Sequence, residues 1–265
     1  MHDPFFIEAP QPKGLVIFIH GFMGSPHQFA GFFNPLYAQR YSIAALLLPG
    51  HGKTISTFST GTADSWRDYV FAEVERYARQ YDNIWLAGHS MGGLLAIQAA
   101  VKYPERIRGL FLIACPFRMK IFSFQMLRVR FQQIFFQAEH PLKKAYHEGS
   151  SIPITFGLLW RSIKPTIEFK RLAASTRKLL PKITLPISAV YCKKDEVVSL
   201  RSAKVFRELP AQAHFSQVTL VHSYHAYFPE KDWQNIEQVL LRFLLASLTN
   251  PPVEIDVCQI RSSVD

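Results

Sequence analysis

A chain of 265 residues suits one large α/β domain, or a domain carrying an insertion. With 48% hydrophobic and 19% charged residues it has ample material for a core, which excludes a disordered or low-complexity protein. The formal charge of +10 is unevenly placed: residues 116–182 hold thirteen of the thirty Lys and Arg but three of the twenty Asp and Glu, so the rest of the chain is balanced.

Read from the N-terminus, MHDPFFIEAPQPKG places an acid early and offers no basic run, which argues against a secretory signal. Residues 14–39 carry no charged side chain and are long enough to span a bilayer. Glycine, proline, histidine and asparagine interrupt them, so a strand, a turn and a helix fit better. Continuous apolar runs at 15–20, 43–49, 83–88, 108–115, 187–192 and 216–222 read as buried parallel strands. Helical patterns at 27–41, 65–81, 93–104, 199–209 and 231–248 alternate with them, which predicts a doubly wound, mostly parallel sheet. The alternation fails once, from about residue 118 to 180, where FSFQMLRVRFQQIFFQ and IEFKRLAASTRKLL are helical and no strand is evident. The expected division is therefore a core of residues 1–115 and 183–248, a helical cap at 116–182 and a loose tail at 249–265.

Cys115, Cys192 and Cys258 are odd in number and lack metal-ligand spacing; they read as free thiols in a reducing compartment, favouring the cytoplasm.

Chemistry concentrates in GHSMGG, residues 88–93, which joins a predicted strand to a predicted helix. Gly88-His89-Ser90-Met91-Gly92 has the form G-x-S-x-G in the strand–turn–helix context that the motif requires. Ser90 is the candidate nucleophile. Gly88 and Gly92 are the elbow positions where a side chain would collide, and Gly93 lets the helix pack on the sheet. A serine needs a base and a group that orients that base, in the chain order Ser, acid, His. Asp195 follows the run ISAVYC, and His225 follows SQVTLVH, both just past the carboxyl ends of predicted strands. Their rivals are Glu196, next to Asp195, and His222, which is expected to end its strand and pack the sheet edge. His89 is expected to point away from the nucleophile, and His51, in PGHG, to hydrogen-bond within its loop. HGFMG after the first strong strand suits a second oxyanion donor, so the Phe22 and Met91 backbone N–H groups are the candidates.

HGFMGSP, PGHG, GHSMGG, KKDEVV and SYHAYFPEKDWQNI together resemble the oxyanion loop, following loop, nucleophile elbow, acid turn and histidine loop of the α/β-hydrolase superfamily, over residues 14–248. Within it the chain most resembles bacterial carboxylesterases of the monoacylglycerol-lipase type, although Tyr224 and Ala226 stand where that group often has glycine and a small β-branched residue. Relatives with Asp at the elbow, the haloalkane dehalogenases and epoxide hydrolases, are excluded by Ser90. The resemblance implies an acyl-enzyme mechanism on a small-molecule ester, with no metal and no organic cofactor. An acyl thioesterase, a carbon–carbon bond hydrolase of ring-cleavage dienoates and a non-catalytic ligand-binding module are the alternatives. Phe122, Phe124, Phe131, Phe135, Phe136, Phe156 and Trp160 are candidates to line an acyl pocket or to pack the cap on the sheet. The basic segment suits anionic substrates or a weak contact with an anionic membrane surface. No recognition motif supports a nucleic-acid partner.

Overall fold

The computed structural model describes residues 2–120, 150–152 and 158–248. Its sheet has seven strands: β1 (Phe5–Ile7), β2 (Gly14–Ile19), β3 (Tyr41–Leu46), β4 (Ile84–His89), β5 (Ile107–Ile113), β6 (Ile187–Cys192) and β7 (Phe215–Leu220). They lie in the order β1-β3-β2-β4-β5-β6-β7, with β1 antiparallel to β3 and every other neighbour parallel. Every residue of β2, β3, β4 and β6 is buried, which is why these segments read as unbroken apolar runs.

Successive strand residues face opposite layers. Phe18, Trp85 and Phe111 pack beneath α1 (Ala30–Ala38) and α7 (Glu230–Ala246), against Phe32, Leu240 and Phe243. Their neighbours Ile17, Leu86 and Leu110 join the other layer, with Trp66 and Val70 of α3 (Ala63–Tyr77) and Leu94 of α4 (Met91–Lys102). Each such large side chain stabilises the fold by about 1.5–3 kcal/mol. The one polar atom of Trp85 is satisfied, its indole N–H donating to Ser247 Oγ at 2.7 Å.

Several elements differ from the sequence expectation. The short edge strand β1 and the short helix α2 (Ile55–Ser59) had no periodic signal, being three and five residues long. β7 is a half-exposed edge strand with alternating burial, not a strand covered on both faces, and it ends at Leu220. His222 is therefore beyond the strand and exposed. The segment Leu200–Glu208 is a 3₁₀ helix. In the expected cap, α5 (Leu158–Arg161) and α6 (Ile163–Arg177) are helical, and α6 buries Phe169, Leu172 and Ala173 in the same layer as α4. The run FSFQMLRVRFQQIFFQ and the tail 249–265 lie outside the described residues.

Candidate active site

Ser90 sits between β4 and α4 with φ 52° and ψ −119°, a strained backbone for a residue with a side chain. The turn is held by Ser90 N–H donating to Ile113 C=O at 2.8 Å and by Gly93 N–H donating to Ser90 C=O at 2.9 Å. The tightness explains the glycines. A Cβ on Gly88 would stand 2.5 Å from the Gly92 carbonyl oxygen, and one on Gly92 would stand 1.9 Å from the Ile19 carbonyl oxygen. Ser90 is only 3% exposed and lies at the N-terminus of α4, where unpaired N–H groups favour negative charge.

Asp195 and His225, predicted thirty positions apart, meet in the fold. His225 Nδ1–H donates to Asp195 Oδ2 at 2.9 Å, with the two residues 7% and 2% exposed. The other carboxylate oxygen accepts Val197 N–H at 2.8 Å and Val198 N–H at 2.6 Å, which fixes the carboxylate plane. Burial opposes charging of the imidazole, but Asp195, with help from Glu196, outweighs it and raises the His225 pKa above the usual histidine value. Burial likewise opposes ionisation of Asp195, and the imidazole and the two amide donors outweigh it, lowering its pKa. Because the carboxylate accepts from Nδ1, the neutral imidazole keeps its lone pair on Nε2. Glu196, the rival acid, instead accepts the main-chain N–H of His225 at 3.2 Å.

Phe22 follows β2 in the loop 20–24, alongside the elbow: a Cβ on Gly21 would stand 3.0 Å from Ser90 Cβ. Among the described residues, neither Phe22 N–H nor Met91 N–H has a hydrogen-bond acceptor. The Phe22 ring stacks on Phe169 of α6 at 5.4 Å and meets Phe58 edge-on at 5.1 Å.

Three of the other histidines have defined contacts near the site. His89 Nε2–H donates to His225 C=O at 2.9 Å, and burial, followed by the neighbouring His225, lowers the His89 pKa to about 3. His51 Nε2 accepts Met23 N–H at 3.2 Å. The exposed His222 gives its main-chain N–H to Asp232 Oδ2 at 3.2 Å. Asp232 was not singled out by sequence. It also accepts Ser223 Oγ–H at 2.6 Å, tying the histidine loop to the first turn of α7, where an acid after PEK is the available sequence signal. Lys120 was missed as well: its ammonium donates to Asp195 C=O at 2.6 Å, while Met119 bridges Val198 and Lys120 N–H donates to Val197 C=O at 2.7 Å. Of the aromatic residues considered for an acyl pocket, Trp160 is 70% exposed, and the other six lie outside the described residues. Cys115 and Cys192 are free and buried, and burial pushes both thiol pKa values up, so neither is a thiolate nucleophile. Cys258 lies outside the described residues. Among the described residues no helix is long and apolar enough to cross a membrane, and no three His, Cys, Asp or Glu side chains gather as metal ligands would.

A family model described as "Alpha/beta hydrolase family" matches residues 16–240. Over 99 residues, 37% of this chain, the sequence is 33% identical to the dihydrolipoyllysine-residue acetyltransferase component of the acetoin cleaving system of Pseudomonas putida. Over 115 residues, 43% of this chain, it is 35% identical to the pimeloyl-(acyl-carrier protein) methyl ester esterase of Shewanella oneidensis. The matched stretches span 26% and 39% of those two relatives. The fold superposes on the Paleococcus ferrophilus monoacylglycerol lipase with a TM-score of 0.69 at 16% identity, covering 92% of this chain and 98% of that one. With the match extending from β2 into α7, the chain belongs to the alpha/beta hydrolase family.

Proposed function

We propose that the protein is a serine hydrolase that cleaves carboxylic esters through an acyl-enzyme. The observation that carries this reading is the buried Asp195–His225 pair past the carboxyl ends of β6 and β7, at the same end of the parallel strands as the strained Ser90 after β4. In this mechanism Ser90 Oγ attacks the ester carbonyl carbon while His225 Nε2 takes its proton. The oxyanion that forms is held by the Phe22 and Met91 N–H groups. His225 then returns the proton to the departing alcohol, leaving the acyl group on Ser90. A water molecule, deprotonated by the same Nε2, then attacks the acyl carbon; as the acyl–oxygen bond to Ser90 breaks, His225 returns that proton to Ser90 Oγ and the acid leaves. Asp195 holds the imidazole in the tautomer these steps need and stabilises its protonated form.

Substrate choice is assigned to the insertion at 116–182, part of which reaches the site: Phe169 lies against Phe22, and Ser151 N–H donates to Met23 C=O at 2.9 Å. The Shewanella relative is a methyl ester esterase, which supports carboxylic ester chemistry here.

Hydrolysis of p-nitrophenyl esters from acetyl to palmitoyl, wild type beside Ser90→Ala, tests the reading. A chain-length optimum that falls by about 10⁴-fold or more in the variant is expected. Ester turnover that survives Ser90→Ala would sink it. A folded, fluorophosphonate-reactive protein silent on every oxygen ester would instead move the reading to thioesters or dienoates.

A further inference from the structure

The loop that follows β2 and the loop that follows β3 each contribute a buried histidine, and each histidine serves the other loop. His20 Nε2 accepts Leu48 N–H at 3.0 Å, while His51 Nε2 accepts Met23 N–H at 3.2 Å. The second nitrogen of each ring serves its own loop: His20 Nδ1–H donates to Gly21 C=O at 2.9 Å and His51 Nδ1–H to Pro49 C=O at 3.3 Å. An amide N–H can only donate, so both rings are neutral with the proton on Nδ1. The rings meet edge-on, 4.8 Å apart. Burial keeps them uncharged, lowering the pKa of His20 well below the usual value and that of His51 to about 4.

Amide geometry gives this arrangement a function. The carbonyl of Gly21 and the N–H of Phe22 belong to one peptide unit, which is planar and trans, so the two groups point in opposite directions. His20 Nδ1–H and Gly24 N–H, the latter at 2.9 Å, both grip the Gly21 carbonyl oxygen and thereby aim the Phe22 N–H. The next peptide unit is gripped through Met23 N–H by His51. Met23 itself is held at φ 61°, with its carbonyl taken by Ser151 N–H. Both peptide units that flank Phe22 are therefore fixed from outside the substrate site.

We propose that His20 and His51 form a reciprocal tie between these two loops and are positioning residues that pre-aim the Phe22 N–H at the developing oxyanion. This rests on the reading of Phe22 as an oxyanion donor in a Ser90-dependent hydrolase. A donor that is aimed before the reaction needs no reorganisation when charge forms, and a full donor is worth about 10²–10³-fold in rate.

The tie makes opposite demands at its two ends, and amide side chains test them. Asparagine places an N–H near the position of Nδ1, whereas glutamine places its carbonyl oxygen near that of Nε2. At position 20 the grip on Gly21 C=O needs the Nδ1-like donor, so His20→Asn is expected to exceed His20→Gln in kcat by about tenfold, a fraction of one donor's worth. At position 51 the grip on Met23 N–H needs the Nε2-like acceptor, so His51→Gln is expected to exceed His51→Asn by a similar factor. KM should move little, and affinity for a trifluoromethyl ketone, whose Ser90 adduct carries the oxyanion, should follow kcat. Circular dichroism and thermal melting select the folded variants, and either pair alone is decisive. The same rank order at both positions, or equal turnover within either folded pair, would overturn the tie. Failure of the wild type to show Ser90-dependent turnover would overturn the hydrolase reading itself, a result distinct from any ranking of the four variants.

Discussion

Two carboxylates serve one imidazole, and they do so through different atoms. Asp195 meets the ring and Glu196 meets the main chain of the same residue. The sequence favours Asp195 over Glu196 in KKDEVV; the turn after β6 puts Asp195 against the ring, while the contact of Glu196 with the His225 main chain had no sequence signal. The negative charge of Glu196 contributes to the raised His225 pKa. In Glu196→Gln the amide oxygen still accepts the His225 N–H while the charge is gone, so the pKa should fall. The base is active when neutral, so kcat/KM rises with pH through that pKa, and the acid limb should move to lower pH in the variant. A kcat/KM profile from about pH 5 to 9 reads this directly; an unmoved limb would show that the Glu196 charge does not reach the ring. Asp195→Asn, which removes the ring's own partner, should cost about 10⁴-fold in kcat.

The elements that position the site were legible where the physics is local. LVIFIH, NIWLAG and ISAVYC are continuous apolar runs because both faces of their strands are covered, and the elbow announced itself through glycines that the close approach of β2 and α4 demands. β1 and α2 escaped notice because three and five residues are too few for a periodicity to repeat, and the alternating burial of β7 follows from its place at the sheet edge, a property of its neighbours. The elbow glycines are not equivalent. A methyl on Gly92 meets the backbone oxygen of Ile19, which cannot yield without moving β2, whereas a methyl on Gly93 meets the Cys115 side chain at 3.2 Å. Gly92→Ala is therefore expected to destabilise the protein by about 3 kcal/mol or more. Gly93→Ala should cost less than about 1 kcal/mol, since alanine also favours the helix. Urea unfolding of the two variants gives the comparison, and equal losses would contradict the close approach.

For the molecule as a whole, three buried histidines set a response to acid. His20, His51 and His89 all have folded pKa values below their usual value, chiefly through burial, so the unfolded chain binds protons more readily than the folded one. Stability should fall as pH drops below about 6.5, through about 4 for His51 and about 3 for His89. Full protonation at His51 alone corresponds to about 3 kcal/mol. His225 has the opposite sign: its raised pKa favours the folded state at low pH, and that contribution is lost as pH rises through the raised value. The three outnumber the one, so the urea midpoint should decline on going from neutral to mildly acidic buffer, and His51→Gln should flatten the decline. A midpoint independent of pH over that interval would contradict the buried neutral state of these rings. His20 ends a run that reads as a buried strand, whereas the burial of His51 and His89 was not legible, because it depends on loops that follow different strands.

Besides the packing of α6, two fastenings join the insertion to loops around the site. Residues 118–120 bond along the acid turn at 197–199, and Ser151 bonds to the loop that carries Phe22. On the proposed reading, these fastenings anchor the acid turn and the Phe22 loop from the side opposite the sheet, so both keep their places whichever ester is bound.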